Sequence, residues 1–244
     1  MKQVIGTIML LAAMATFADN FESEGGFITV WPKEAGKFSF VNAQTRVPRQ
    51  TLAQPVRIVC NQFDFNFEFV DGVAPAVKDV KAQLGKLGAT GAVWIVDDPG
   101  LPVMLGACED GWAFLNVAPI LADGPDEKKL AKRLEKYVAR TFANIQGVGA
   151  STMSPHCVMM SAVGISGIDA LDCAQYSPEP SMKINPTMLA RGFKPCRRGT
   201  YYQACEEGWA PAPTNAVQKS IWEEVHKLPS SPIRIKPETK KVDR

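Results

Sequence analysis

The chain has 244 residues, 46% of them hydrophobic, and a formal net charge of +2 at pH 7. This is the composition of a globular protein with enough chain for one sizeable core. The near-neutral charge excludes the basic footprint of a protein that binds nucleic acid or anionic membranes.

Residues 1–18 have the layout of a secretory signal peptide. Lys2 supplies a positive charge, Val4 to Ala15 form an apolar stretch, and Thr16-Phe17-Ala18 is a small-residue cleavage site. The apolar stretch is too short to span a bilayer, and no other segment is apolar enough for a membrane helix. We therefore expect a secreted or periplasmic protein that begins near Asp19 and has no integral membrane segment.

The expected export determines what the six cysteines predict. An even number of cysteines in an oxidising compartment predicts disulfides, and the absence of C-x-x-C argues against a redox motif or a zinc ribbon. The sequence does not choose among the pairings, and in a reducing compartment the cysteines would be small buried hydrophobes. The six candidates are Cys60, Cys108, Cys157, Cys173, Cys196 and Cys205.

The first elements after the signal peptide are predicted to be strands. Short β-like runs span Phe27 to Trp31 and Lys37 to Asn42, and Val56 to Cys60 is a compact β-branched run. From Phe63 to Phe69, phenylalanine alternates with polar residues, which predicts a strand with one buried aromatic face.

A helix, a buried strand and a hairpin are predicted next. Apolar residues recur at helical spacing from Ala76 to Leu87, and Gly88 ends the helix. The continuous apolar run GAVWIV, Gly91 to Val96, is typical of a strand in the middle of a sheet covered on both faces. Two further strands, Val103 to Ala107 and Trp112 to Val117, are joined by an Asp-Gly turn.

A long amphipathic helix begins near Gly124-Pro125-Asp126-Glu127 and ends at Gly147 and Gly149. Beyond it the chain is rich in loops, with helical pieces near Pro186 to Arg191 and Thr200 to Glu206. A last helix is predicted from Asn215 to Lys227. The inward stripe of the long helix is Leu130, Leu134, Tyr137, Val138, Thr141, Phe142 and Ile145.

This order of elements predicts an α/β or α+β fold, with an irregular, cysteine-bearing C-terminal lobe. The expected division has five parts. They are a signal peptide (1–18), a β-rich extension (19–54), a main domain (55–175), a helical C-terminal lobe (176–232) and a basic tail (233–244).

Residues 129–159 run KLAKRLEKYVARTFANIQGVGASTMSPHCVM, a helix with a glycine exit, a short loop and Cys-Val-Met. This layout resembles archaemetzincins, small zinc peptidases of the metzincin clan, whose helix carries H-E-x-x-H-x-x-G-x-x-H-C and is followed by C-x-M. Gly147 matches the family glycine, and Cys157-Val158-Met159 matches C-x-M with one extra residue between. The upstream TGAVWIVDD and hairpin are similar in kind. The resemblance covers residues 55–175 and implies a metzincin-like mixed sheet with two main helices.

The resemblance also places four substitutions at the active site. Arg140, Asn144 and Ala150 stand where the family has zinc-binding histidines, and Thr141 stands where it has the general-base glutamate. A guanidinium has no free lone pair, an amide is a poor zinc ligand and a methyl group is none. The whole chain has only two histidines, so a three-histidine site is excluded. We therefore expect no metal, no cofactor and no zinc-dependent hydrolysis.

Met159 corresponds in this resemblance to the methionine beneath the metal, the Met-turn, and is otherwise an ordinary core methionine. The family's second zinc site is also incomplete, because Ser151 lies near one cysteine position and only Cys157 and Cys173 remain. In an exported protein we expect a Cys157–Cys173 disulfide instead, which would contribute about 3 kcal/mol. His156 is expected to be a surface or core residue.

Our main functional hypothesis is an exported, catalytically inactive archaemetzincin-like protein that binds a peptide or carboxylate in the former cleft. Arg140 and Asn144 lie one helical turn apart and would form a cationic floor for a carboxylate, beside Thr141, Ala150 and Met159. The alternative for Arg140 is a pair with an internal acid or a position facing water.

Two other functions stay open. One is an enzyme of another class that uses Asp97, Asp98 or Asp169. The other is a structural or interaction protein of the envelope, with Trp209 and Trp222 on an exposed apolar docking surface. The sequence identifies no partner, although it predicts that nucleic acid is not one.

Overall fold

The structure is a computed structural model that describes residues 26–32, 34–150 and 156–227. The predicted signal peptide, the basic tail and Ser151 lie outside the described residues. Within those residues, no helix is both long enough and apolar enough to cross a membrane. The described chain forms two compact units, a larger one within residues 31–196 and a smaller one made of residues 26–30 and 197–227.

The elements are numbered along the chain. The described strands are β1 (Phe27–Val30), β2 (Lys37–Asn42), β3 (Asn66–Asp71), β4 (Gly91–Val96), β5 (Met104–Ala107), β6 (Trp112–Asn116) and β7 (Arg197–Thr200). The described α-helices are α1 (Arg49–Cys60), α2 (Val80–Leu87), α3 (Ala118–Leu121), α4 (Glu127–Ile145), α5 (Gly164–Asp169), α6 (Pro178–Ala190), α7 (Tyr201–Glu206) and α8 (Ala216–Lys227).

The larger unit is built on a five-stranded mixed sheet with the strand order β3-β2-β4-β6-β5. Strands β3, β2, β4 and β6 are parallel, and β5 is antiparallel to β6 at one edge. The connections from β2 to β3 and from β3 to β4 each run through a helix, as crossovers between parallel strands require. The predicted mixed α/β class is therefore confirmed.

Both faces of this sheet are covered. All six residues of β4 are buried, which confirms that the run GAVWIV is a central strand. Val93 and Ile95 belong to the core beneath α1 and α4, whereas Trp94 belongs to a second core with Val80 of α2. Successive side chains of a strand point to opposite faces, so an unbroken apolar run fits only a sheet packed on both sides.

The predicted strand Val56 to Cys60 is wrong, because these residues form the last part of helix α1. Leu52, Val56 and Val59 recur at helical spacing and are buried in the core. A short β-branched run is ambiguous between strand and helix. The need for a crossover between two parallel strands, together with burial of this stripe, decides for helix here.

The aromatic face predicted for residues 63–69 is confirmed, although strand β3 itself begins at Asn66. Phe63 and Phe67 are buried with their neighbours and pack around Phe142 of α4, with ring centroids 5.5 and 5.7 Å away. Phe38 of β2 lies 5.1 Å from the same ring in an edge-on arrangement. These contacts fix α4 over the sheet.

The predicted helix and hairpin of the middle region are also confirmed. Helix α2 follows a short 3₁₀ turn at Val77–Asp79 and ends at Gly88, whose φ of 59° is left-handed. Strands β5 and β6 pair as an antiparallel hairpin. In α4, Asp126 caps the first turn by accepting a hydrogen bond from the Lys129 backbone N–H at 2.7 Å.

Helix α4 has the predicted inward stripe, all of it buried except Leu130, which is partly buried. Beyond the undescribed loop, helix α6 extends from Pro178 to Ala190, further than the predicted piece near Pro186. Proline is favoured in the first turn of a helix, where its missing N–H costs nothing. Helix α5 lies in a region where we predicted only loop.

The smaller unit contains a two-stranded sheet in which β1 and β7 pair antiparallel. The predicted helices α7 and α8 are confirmed, and Asn215 caps α8 by accepting the Gln218 N–H at 2.9 Å. On helix α8 the apolar Val217 is exposed, whereas Gln218 is the buried residue of this helix. The Gln218 side chain accepts two hydrogen bonds from Thr214, which draws it inward.

The boundaries of the two units differ from those of the five-part division expected from the sequence. Helix α1 crosses the expected boundary between residues 54 and 55, and β2 belongs to the main sheet. The five-part division itself stays a prediction.

Candidate functional site

Helix α4 carries Arg140 to the segment that contains Met159. The Arg140 Nη1 donates hydrogen bonds to the Val158 carbonyl at 2.7 Å and to the Met160 carbonyl at 2.8 Å. Met159 lies between these two carbonyls in sequence and is buried. The structure therefore brings together Arg140 and Met159, two residues that the resemblance placed in one cleft.

The segment under Arg140 is a tight turn with several backbone anchors. The Met160 N–H donates to the Cys157 carbonyl at 2.9 Å, and the Val158 N–H donates to the Gln175 carbonyl at 2.8 Å. The buried Cys157 sulfur accepts hydrogen bonds from the backbone N–H of Met159 at 3.4 Å and of Ser177 at 3.3 Å. These bonds orient the carbonyls that Arg140 uses.

Arg140 is half-buried and has no carboxylate partner among the described residues. Burial lowers the pKa of its guanidinium, and the neighbouring Tyr137 and Cys157 oppose that shift. Two carbonyl oxygens orient the group without neutralising it. The site therefore holds a positive charge that its own described surroundings leave uncompensated.

The other predicted cleft residues are placed differently. Thr141 faces the core, is 1% exposed, and its hydroxyl has no hydrogen-bond partner in the described structure. The Asn144 Nδ2 lies 3.4 Å from the Met104 sulfur of β5, so this side chain reaches the edge of the sheet. Ala150 is exposed and is the last residue before the undescribed segment 151–155.

These residues do not fit the zinc that the resemblance implies. Arg140 is a cation whose Nη1 already bonds two carbonyls, Asn144 directs its amide nitrogen at Met104, and Ala150 offers a methyl group. Metal ligands must present a lone pair, which a guanidinium lacks. In the part of the chain that the structure describes, no three His, Cys, Asp or Glu side chains are grouped to hold a metal.

The predicted disulfides are not formed, which corrects the expectation from the sequence. All six cysteines are free thiols, and no two lie at bonding distance. Cys157 is buried against backbone N–H groups, whereas the Cys173 sulfur lies 2.6 Å from the His156 carbonyl. A disulfide needs both the distance and the direction of the two Cβ atoms, which an even cysteine count does not supply.

The carboxylates considered for another enzyme class each have partners of their own. Arg46 binds both oxygens of Asp97 and thereby lowers the pKa of that carboxyl. The Asp98 carboxylate accepts the N–H of Gly100 in a turn. Asp169 is hydrogen-bonded to Arg133, which lowers its pKa. Paired carboxylates of this kind are typical of structural ion pairs, and nothing in these contacts favours acid–base catalysis.

The two histidines and the C-terminal tryptophans take ordinary positions. His156 is exposed, with Asp172 at 3.6 Å, and His226 stacks on Trp222 at 4.2 Å between ring centroids. Both tryptophans of the smaller unit are half-buried, and the Trp209 Nε1 donates to Glu207 at 2.7 Å. The exposed tryptophan patch that would favour an interaction protein of the envelope is not seen among the described residues.

Two features of this region were missed in the sequence. One is Arg133, whose buried guanidinium is held by Asp123 and Asp169. Its position one helical turn before Tyr137, on the buried stripe of α4, was the sequence signal that could have identified it as a buried arginine. The other is an open groove of about 480 Å³ next to α5. It is lined by Met160, Ser161, Ala162, Val163, Ser166, Gly167, Ala170 and Leu171.

No protein-family model matches this sequence, and no curated protein sequence matches it. Among solved structures, the chain is similar to the crystal structure of archaemetzincin from Methanopyrus kandleri. The TM-score is 0.48 and the identity 16%, over 66% of this chain and 99% of that one. At this level the likeness decides neither the finer fold nor the function of the chain.

Proposed function

We propose that this protein is an exported, catalytically inactive relative of the archaemetzincins that binds a carboxylate-bearing peptide at Arg140. The observation that carries the proposal is the charge of Arg140. Its guanidinium is half-buried, oriented by two carbonyl oxygens, and without a carboxylate among its described partners. A buried charge is costly unless it is paired, so the site favours an anionic ligand.

The chemistry of the guanidinium supports a carboxylate in particular. Arginine has five N–H donors, and the two described bonds of Arg140 both use Nη1. The Nε and Nη2 groups therefore keep the geometry that binds both oxygens of a carboxylate. Because the fork is already oriented, less side-chain entropy is lost when a ligand binds.

The neighbouring sheet edge supports a peptide. Strand β5 pairs with β6 on one side only in the described structure, and Met104 and Gly106 on it are exposed. An edge strand presents unpaired N–H and C=O groups that an extended peptide can join. Asn144 contacts Met104, so α4 connects this edge with Arg140.

The proposed loss of catalysis follows from residue chemistry. Without a carboxylate or imidazole at 141, no group in this frame takes a proton from water near neutral pH. Without ligands at 140, 144 and 150, no Zn²⁺ generates a hydroxide. The kinship proposal is supported by the buried Met159 turn beneath α4 and by Gly147, which leaves the helix with a φ of 79°.

The binding test uses the mature protein and two probes, N-acetyl-Ala-Gly-OH and N-acetyl-Ala-Asp-NH2, measured by calorimetry. We expect at least one probe to bind, and we expect Arg140→Met to lower the affinity for that probe at least tenfold. Arg57→Met is the matched control, because Arg57 is exposed and its side chain bonds only Gln54 in the described structure. Binding that is unchanged in Arg140→Met, or no binding of either probe, contradicts the proposal.

Inactivity and export have separate tests. Elemental analysis of the purified protein is expected to show no stoichiometric zinc, and stoichiometric zinc with peptidase activity would overturn the inactive site. Export is supported by the layout of residues 1–18. N-terminal sequencing of protein from the extracytoplasmic fraction is expected to start near Asp19, and a chain that retains Met1 in the cytoplasm contradicts export.

A further inference from the structure

We infer that the ligand of Arg140 is the free C-terminus of a peptide whose last side chain is apolar and lies in the groove beside α5. This rests on the proposed function and names its ligand class. A C-terminus and an acidic side chain both carry a carboxylate, and the groove is the feature that separates them.

The groove and the charged site share one residue. The Met160 carbonyl receives a hydrogen bond from Arg140 at 2.8 Å, and Met160 also lines the groove. A ligand whose carboxylate binds the guanidinium therefore has the groove next to it. The α-carboxylate and the side chain of a terminal residue are joined through one carbon, so one terminal residue suits two sites that share Met160.

No charged side chain lines the groove. Its rim includes Val163, which is 86% exposed, and Met160, whose side chain is also exposed. Exposed aliphatic side chains at the rim of a concave surface are typical of an apolar binding site. The groove thus has neutral walls, and a cation is hydrogen-bonded to one of its lining residues, which together complement a terminal carboxylate with an apolar side chain.

The small residues of the groove have a geometric role. A Cβ added at Gly167 would lie 3.2 Å from the Ala162 carbonyl carbon, so a larger residue there would push α5 away from the 160–163 segment. The groove volume of about 480 Å³ is within the range of small-ligand sites and is ample for one aliphatic side chain.

Four peptides test the inference by calorimetry on the mature full chain. They are N-acetyl-Ala-Leu-OH, its C-terminal amide, N-acetyl-Ala-Gly-OH and N-acetyl-Ala-Asp-NH2. We expect the leucine acid to bind at least tenfold more tightly than its amide and than the aspartate amide, and at least fivefold more tightly than the glycine acid. Arg140→Met is expected to remove this preference for the free acid.

Two variants address the groove itself. Ala170→Trp fills it, and Val163→Asp places a negative charge at its exposed rim without disturbing the core. Both variants are expected to bind N-acetyl-Ala-Leu-OH at least fivefold more weakly than wild type does. Ala170→Trp is expected to bind N-acetyl-Ala-Gly-OH with an affinity within twofold of the wild-type value. Ala190→Trp, at an exposed position on α6, is the control and should change nothing.

The outcomes separate this inference from the proposed function. If the aspartate amide binds as tightly as the leucine acid through Arg140, and both groove variants bind like wild type, the groove inference is overturned while Arg140 binding stands. If no peptide binds, both are overturned. If Ala170→Trp does not fold, Val163→Asp alone decides, since its position is on the surface.

Discussion

Arg133 and Arg140 lie on the same face of helix α4, about two turns apart, and differ completely in how their charge is compensated. Arg133 is 1% exposed and bonds the carboxylates of Asp123 and Asp169 at 2.5 to 2.8 Å. Arg140 bonds only two backbone carbonyls in the described structure. The charge of Arg133 is neutralised by two carboxylates, whereas Arg140 has no carboxylate partner among the described residues.

Arg133→Met is expected to alter stability in acid. Hydrogen bonds from Arg133 lower the pKa of Asp123 and Asp169 below the usual 3.8. A carboxyl whose pKa is lowered by folding stabilises the protein above its unfolded pKa, and this contribution is lost as the pH falls through the lower folded value. Melting temperatures between pH 7 and pH 2 should therefore fall more steeply for wild type than for the variant below about pH 4.

The variant should also melt at a lower temperature at pH 7, because it leaves two carboxylates without their main partner. Parallel melting curves for the two proteins across the acid range would contradict this role of Arg133. Arg57→Met, at an exposed position, serves as the control for loss of a positive charge.

Phe142→Ala is expected to lower the free energy of unfolding by about 3–5 kcal/mol. Its ring is fully buried and contacts Phe38, Phe63 and Phe67, so truncation leaves a cavity where α4 meets the sheet. Chemical denaturation measures the change. Leu189→Ala, at an exposed position on α6, should change it by less than about 0.5 kcal/mol.

Thr141→Val is expected to raise the free energy of unfolding by about 1 kcal/mol. The threonine hydroxyl is buried without a hydrogen-bond partner in the described structure, and valine has the same shape without the polar atom. Helix propensity is similar for the two residues. A loss of stability instead would mean that the hydroxyl has a partner, and denaturation curves decide between these outcomes.

The cysteines are expected to behave as thiols of graded reactivity. Ellman's reagent without reductant should titrate all six in denaturant, because none is bonded. In the native protein, the exposed Cys108 should react first and the buried Cys60 last, since burial raises the pKa of the Cys60 thiol. Fewer than six thiols in denaturant would restore the disulfide expectation.

Local patterns were sufficient for much of the fold. The run Gly91–Val96 is buried on both faces of its strand, and a hydrophobic run of that length needs cover on both sides wherever it lies. Gly88 ends α2 because glycine, which has no Cβ, adopts the left-handed backbone conformation of this position without a steric clash. By contrast, Val56–Cys60 is helical because two parallel strands need a crossover, which a five-residue window does not contain.

In the candidate site, too, some features follow from local sequence and others from the tertiary structure. The sequence by itself determined which side chains stand at 140, 144 and 150, and a guanidinium, an amide and a methyl group do not together make a zinc ligand set. Only the tertiary structure decided which arginine of α4 is neutralised, since Asp123, Asp169 and the carbonyls of 158 and 160 come from separate segments. The composition of a side chain is local, whereas the compensation of its charge depends on which distant groups the fold brings within hydrogen-bonding distance.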